Sequence, residues 1–272
     1  MRAGLRAADV LVLVVLAAWA TPFFWQVRTS LTPDAELLAT ARALPERPTL
    51  IHYRAVVERS VMPRALGNSL AVASLTTLVA LALGLPAAYG IARLPVPGKG
   101  LLLLAVVGST AFPQIATVSP LYLLLRALRL IDTYPGLILP YLTFAMPLAV
   151  WLLVGFFRQL PLDLEEAALV DGASRWQSFT RVILPVSVPA LATTAILTFI
   201  YCWNEFLFAL SFTLGPDRQT VPVAIALFRG QYQVPWGQIL AAAVVATVPV
   251  AALVLIAQRR IVQGLTAGAV KG

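Results

Sequence analysis

The chain has 272 residues, 60% hydrophobic and 12% charged, with a formal net charge of +8. Soluble domains carry about a quarter charged residues, so this composition excludes an ordinary soluble enzyme and points to a membrane protein. The Lys and Arg residues are spread through loops between apolar runs, which argues for membrane topology and against a nucleic-acid-binding patch. One cysteine, Cys202, lies inside an apolar run and leaves neither an intrachain disulfide nor a thiolate metal site. The single histidine, His52, has no Cys or His near it in sequence and reads as an ordinary loop residue.

Crossing a bilayer takes about 20 predominantly apolar residues. Six stretches qualify, at 10–27, 66–92, 101–125, 133–157, 186–210 and 236–257, so the expected fold is a single all-α membrane domain of six transmembrane helices. The first is preceded by Arg2 and Arg6 and reaches Ala18-Trp19-Ala20, a layout that invites comparison with a secretory signal. The apolar run continues through Phe23-Phe24-Trp25, aromatics suited to a membrane interface, so it reads as a retained span. Residues 28–64 mix both charge signs with Pro33, Pro45 and Pro48 and read as a cap of short helices and turns. The second span is rich in small residues (Ala71, Ala73, Ala80, Ala82, Gly84) that permit close helix contacts, and 95–100 is a tight turn. The third span carries Phe112-Pro113-Gln114 near its middle, where Pro113 frees a backbone carbonyl that a Ser, a Thr or water must satisfy.

Residues 161–185 form the long polar interruption of the second half. Asp163 followed by Glu166 is a capping-box pattern for a first short helix through Val170. Asp171-Gly172 supplies a turn, with Gly172 free to adopt a left-handed conformation. Ser174 followed by Gln177 is a second capping box, opening a helix toward Ile183, and Pro185 and Pro189 then break or kink the chain. Glu166-Ala167-Ala168, three residues, Gly172, nine residues and Val182-Ile183-Leu184-Pro185 resemble the EAA loop, the signature of permease subunits of binding-protein-dependent ABC importers. The sequence departs from that pattern at Val182, where the family has Ile.

Two further segments carry the same likeness. Ala87 to Arg93, at the end of the second span, is similar to these permeases. The tail 258–272, ending Gly264-Leu265-Thr266-x-Gly268-x-Val270-Lys271-Gly272, is similar to the second permease of maltose- and trehalose-type importers, where it inserts between the ATPase subunits. Its glycines let backbone approach another surface closely.

In the fifth span, Thr194, Thr198, Tyr201 and Glu205 recur at four, three and four residues and so share one helical face. A polar stripe facing lipid is costly, which turns that face toward the bundle interior or a water-filled path. Asn204 and Glu205 lie in Trp203-Asn204-Glu205-Phe206, a segment similar to the corresponding span of sugar permeases. Two readings stand: a wall of the translocation path, or interhelical hydrogen bonding with Glu205 snorkelling outward. Gln114 divides the same way, between an amide offered to a sugar hydroxyl and a group that satisfies the broken helix or packs between spans. The loop 215–235 resembles the one by which a maltose-type permease reaches into its binding protein, with Arg229, Gln231 and Tyr232 as candidate contacts.

The resemblance implies a permease of an ATP-driven sugar importer, carrying a di- or oligosaccharide such as trehalose or maltose. It implies a second homologous permease, two cytoplasmic ATPase subunits and an extracytoplasmic sugar-binding protein, with membrane lipids around the spans and no nucleic acid. Glu166 would orient and cap the coupling hairpin, Ala167 and Ala168 would allow close docking, Gly172 would make the turn, and Leu184 and Pro185 would close the motif. Charge counting divides the 20 Lys and Arg residues evenly between the two sides. The EAA loop must face the cytoplasm, and that places both termini inside. Neither a P-loop nor a clustered catalytic set occurs in the sequence, so ATP and Mg²⁺ are expected on partner subunits and no cofactor on this chain. The alternatives are an ABC permease for a non-carbohydrate solute, or a stand-alone carrier or channel.

Overall fold

The structure is a computed structural model that describes the chain at residues 7–37, 44–228 and 234–266, with side chains at 8–37, 44–228 and 234–258. In chain order the helices are α1 (Ala7–Ser30), α2 (Asp34–Leu37), α3 (Ile51–Arg59), α4 (Met62–Arg93), α5 (Lys99–Gly108), α6 (Gln114–Ala127) and α7 (Tyr134–Phe157). They continue as α8 (Asp163–Val170), α9 (Arg175–Ser178), α10 (Leu184–Val186), α11 (Val188–Trp203), α12 (Leu207–Phe212), α13 (Val221–Ala226) and α14 (Trp236–Thr266). No strand occurs among the described residues. Four helices are long and apolar enough to cross a membrane, and two sharply bent pairs bring the number to six if each pair is one span.

The bent pairs are where the expected continuous spans give way. The third breaks at Phe112-Pro113, and α5 and α6 meet at 93°. Pro113 therefore precedes a new helix instead of sitting inside an old one, and Gln114 is the first residue of α6. The Ser109 and Thr110 hydroxyls donate to the Val106 and Val107 carbonyls, 2.7 Å each, easing the helix end. The fifth span bends by 76° at Ser187, between Pro185 and Pro189, and ends at Trp203. The expected tail begins inside a helix, because α14 continues through Thr266. Residues 267–272, which carry Gly268 to Gly272 of the tail motif, lie outside the described residues.

The helices cluster into two compact units, Met1–Pro63 with Ala224–Pro249 and Arg64–Val223 with Val250–Gly272. In the first, Leu31 to Thr49 is tied by a backbone bond of 2.9 Å and Ser30 to Tyr53 by a hydroxyl pair at 2.7 Å. Here the sequence reading of His52 is corrected: it sits on α3, almost fully buried, with Nε2 2.9 Å from the Thr32 carbonyl. A backbone partner serves a buried imidazole as well as a side chain does, and no sequence pattern announces it. A methyl group at Gly237 would overlap this ring. Gly237→Ala should therefore destabilise the protein by about 1–3 kcal/mol. Thermal unfolding in detergent measures the loss, and His52→Ala in the same chain should recover part of it.

In the second unit α7 is central and more deeply buried than α4. Thr133 caps it, accepting from the Gly136 amide at 3.1 Å, and Pro135 fits the first turn. Of the small residues of α4, Ala65, Ser69, Ala73, Ala80, Gly84 and Ala88 are buried. A methyl at Gly84 would rest 3.6–3.7 Å from Val150 and Ala149 of α7, so the two backbones run close there. The core at this end joins Ala88, Tyr89 and Ile91 of α4 to Val150, Leu153, Val154 and Phe157 of α7, and to Phe179 and Ile183. At the other end of α4, the Asn68 amide donates to the Asp217 and Gln219 carbonyls, 2.9 Å each. Asn68 also accepts from the Tyr134 hydroxyl at 2.8 Å, Ser69 accepts from the Val221 amide, and Arg64 pairs with Asp217.

Candidate functional site

The hairpin at 163–186 hangs from this core. Its turn is a Schellman ending: the Ala173 amide donates to Ala168 O at 3.0 Å, the Gly172 amide to Leu169 O at 3.1 Å, and Gly172 has φ +85°. Ser174 and Gln177 form the second capping box, with bonds of 2.8 and 3.2 Å. The first box is not formed. Leu162 already has helical dihedrals, and the Glu165 and Glu166 amides donate to its carbonyl, so Asp163 lies inside the first turn. There the three carboxylates Asp163, Glu165 and Glu166 instead favour the positive end of the helix dipole.

Beyond Ser178 the chain widens into a π-helix, Phe179–Ile183, before α10. Phe179 packs against Tyr89 at a tilt with ring centres 4.6 Å apart and meets Phe157 edge-on at 6.4 Å, while Trp176 lies 5.4 Å from Phe179. The motif residues divide by face. Ala168 is buried and Leu184 half-buried, whereas Glu166, Ala167, Gly172 and Pro185 are exposed. Leu162, Val170 and Trp176 are exposed as well, apolar side chains left open to a protein contact. Sequence reasoning passed over the buried partner: Glu165 lies inside, Nε of Arg93 is 3.8 Å from its Oε1, and the Arg93 guanidinium also donates to Leu160 O. The clue was a lone arginine closing an apolar span two spans before an acidic pair.

The second cluster is a cavity of about 260 Å³ that gathers Gln114 of α6, Tyr201 of α11 and Asn204 and Glu205 of the break, with Phe144, Phe206 and Leu207. Phe144 and Tyr201, edge-to-face at 4.9 Å, also line a neighbouring apolar cavity of about 250 Å³ with Val107, Thr110, Pro147, Leu148 and Trp151. Thr194 and Thr198 are buried on α11 and line neither cavity. Glu205 does not complete their helical face, because α11 ends two residues earlier. Its carboxylate instead accepts the Phe208 amide at 2.7 Å and the Ala209 amide at 3.0 Å, capping α12. The buried Tyr141 hydroxyl lies beside it without closing a well-formed hydrogen bond. Asn204 is exposed, its amide donating back to Ile200 O at 2.8 Å. The candidate contacts Arg229, Gln231 and Tyr232 lie outside the described residues. No cluster of three or more His, Cys, Asp or Glu suited to a metal ion occurs among the described residues.

Residues 1–267 match the family described as binding-protein-dependent transport system inner membrane component. The chain is 48% identical over 253 residues to the trehalose transport system permease protein SugB of Mycobacterium tuberculosis, covering 92% of each. It is 42% identical to the trehalose/maltose transport system permease protein MalG of Thermococcus litoralis, covering 92% of this chain and 91% of that one. Against the sulfoquinovosyl glycerol transport system permease protein SmoH of Agrobacterium fabrum identity is 40%, over 92% and 88%. In fold it matches a chain of a bacterial ABC transporter involved in alginate import, with TM-score 0.78 at 20% identity over 93% of this chain and 94% of that one. The chain belongs to the family of inner-membrane components of binding-protein-dependent transport systems, the multi-pass permeases of ABC transporters.

Proposed function

We propose that the chain is the second permease of an ABC importer for a di- or oligosaccharide of the trehalose or maltose kind. A second homologous permease completes the pathway, two cytoplasmic ATPase subunits bind ATP and Mg²⁺, and an extracytoplasmic sugar-binding protein delivers the cargo. The hairpin faces the cytoplasm and both termini lie inside. Its exposed Glu166, Ala167, Val170, Gly172 and Trp176 seat in an ATPase cleft. ATP-driven closure of the ATPase pair moves the hairpin as a rigid lever, and the spans rock between inward- and outward-open arrangements.

The observation that carries the sugar reading is the cavity where Gln114, Asn204 and Glu205 meet the Tyr201 and Phe144 rings. Amide and carboxyl groups suit hydroxyls, and aromatic faces suit the apolar side of a pyranose. The test is to purify the tagged chain gently from its native membrane, identify its companions and reconstitute them in liposomes. Recovery of a P-loop ATPase and a second permease is expected, with ATP hydrolysis stimulated by trehalose- or maltose-loaded binding protein. Stimulation by a non-carbohydrate solute alone would overturn the cargo assignment. A lone polypeptide active without ATP would overturn the importer itself.

A further inference from the structure

We propose that the buried Arg93–Glu165 pair is the strut through which hairpin movement reaches α4, making these two residues positioning elements of coupling that touch neither ATPase nor solute. The proposal rests on the lever reading of the hairpin given above. Most of the hairpin's attachment is apolar and aromatic, through Phe179 and Ile183 against Tyr89 and Phe157. Such contacts are non-directional, so they hold the hairpin down without fixing its position along α4. The ion pair adds direction. The Arg93 and Glu165 side chains are only 3% and 10% exposed, and neither Arg93 Nε nor Glu165 Oε1 has a hydrogen-bond partner besides their mutual approach at 3.8 Å. In so dry a setting their attraction is weakly screened, and loss of either partner strands the other.

The same guanidinium holds Leu160 O in the turn between α7 and α8, so one side chain ties α4 to both the root and the first turn of the hairpin. Tyr89, one turn before Arg93, lies within electrostatic reach of Glu165, Arg93 and Arg175, which extends the cluster to α9. From Arg93, α4 runs about 38 Å, at 1.5 Å per residue, to the Asn68 clamp on Asp217 and Gln219. That clamped segment follows α12, which Glu205 caps beside the cavity. A push on Glu165 therefore has a continuous helical route along α4 to the clamped segment that follows α12.

The test uses the full complex in proteoliposomes with loaded binding protein, reading solute moved per ATP hydrolysed. The double variant Arg93→Met/Glu165→Leu fills the same space with apolar atoms, a replacement that buried ion pairs commonly tolerate. It should assemble at the normal level and hydrolyse ATP, yet move about fivefold less solute per ATP. Arg93→Lys, which retains the charge, should stay within about twofold of the original ratio, and Arg93→Gln should fall with the double variant. A purely packing role predicts recovery of the ratio by the apolar pair, and that recovery would overturn the strut. Should the double variant fail to assemble, equal ratios for Arg93→Lys and Arg93→Gln would overturn it instead. The variant Val170→Cys, altered on the exposed tip, is cross-linked to the ATPase in parallel. Absence of that cross-link in the otherwise unaltered complex defeats the lever reading and the strut together, whereas its presence with an unchanged ratio in the double variant defeats the strut alone.

Discussion

Gly172→Val is expected to reduce uptake by about tenfold or more while leaving the amount of protein in the membrane close to normal. Gly172 has φ +85°, and nothing lies within 4 Å of where a Cβ would sit, so the cost is in the backbone and not in a collision. A β-branched residue held there stores about 1–3 kcal/mol of strain. The chain relieves it by giving up the two Schellman bonds, to Ala168 O and Leu169 O, and that re-aims Ser174 and the helix it caps. Gly172→Asn separates conformation from bulk, because Asn tolerates the left-handed region. Uptake normalised to membrane-embedded protein should stay above about half for Asn and collapse for Val. Equal uptake by the two would detach the turn from transport.

Glu205→Ala should injure the protein twice, lowering its stability by roughly 2 kcal/mol or more as well as its uptake. The carboxylate serves the buried Phe208 and Ala209 amides, and removing it leaves both without their acceptor in an apolar setting. α12 would loosen, and with it the stacking of Phe208 on Phe212 at 5.5 Å and one side of the cavity. The chain carries its own reporter, since its single cysteine, Cys202, is buried and reacts with a thiol dye only as the fold opens. Glu205→Gln keeps one carbonyl acceptor for α12 and should label nearer the unaltered rate. If Glu205→Ala labels no faster than the unaltered protein, the cap contributes little.

The sequence made the apolar architecture legible because spans follow length and hydropathy, which are additive along the chain. It also announced the second capping box and the left-handed glycine, since both depend on residues within four positions of one another. What it could not disclose is pairing across distance. Nothing local joins Arg93 to Glu165, His52 to Thr32 O, or Gln114 to Asn204. The first capping box misled for a related reason: Leu162 entered the helix before Asp163 could cap it. Glu205 misled through periodicity, because a four-residue step implies a shared face only while the helix persists, and this one stops at Trp203.

The widened turn at Phe179–Ile183 has a genetic consequence. Each residue of an α-helix rotates the chain by about 100°, so the turn's extra residue sets the azimuth at which everything before it points. Deleting one residue there would do more than shorten the chain by one step. It would restore regular winding and swing Trp176 and the Gly172 turn about the helix axis, with every motif letter still present. Across this short window the reading frame of the helix, and not the spelling alone, is what selection has to preserve.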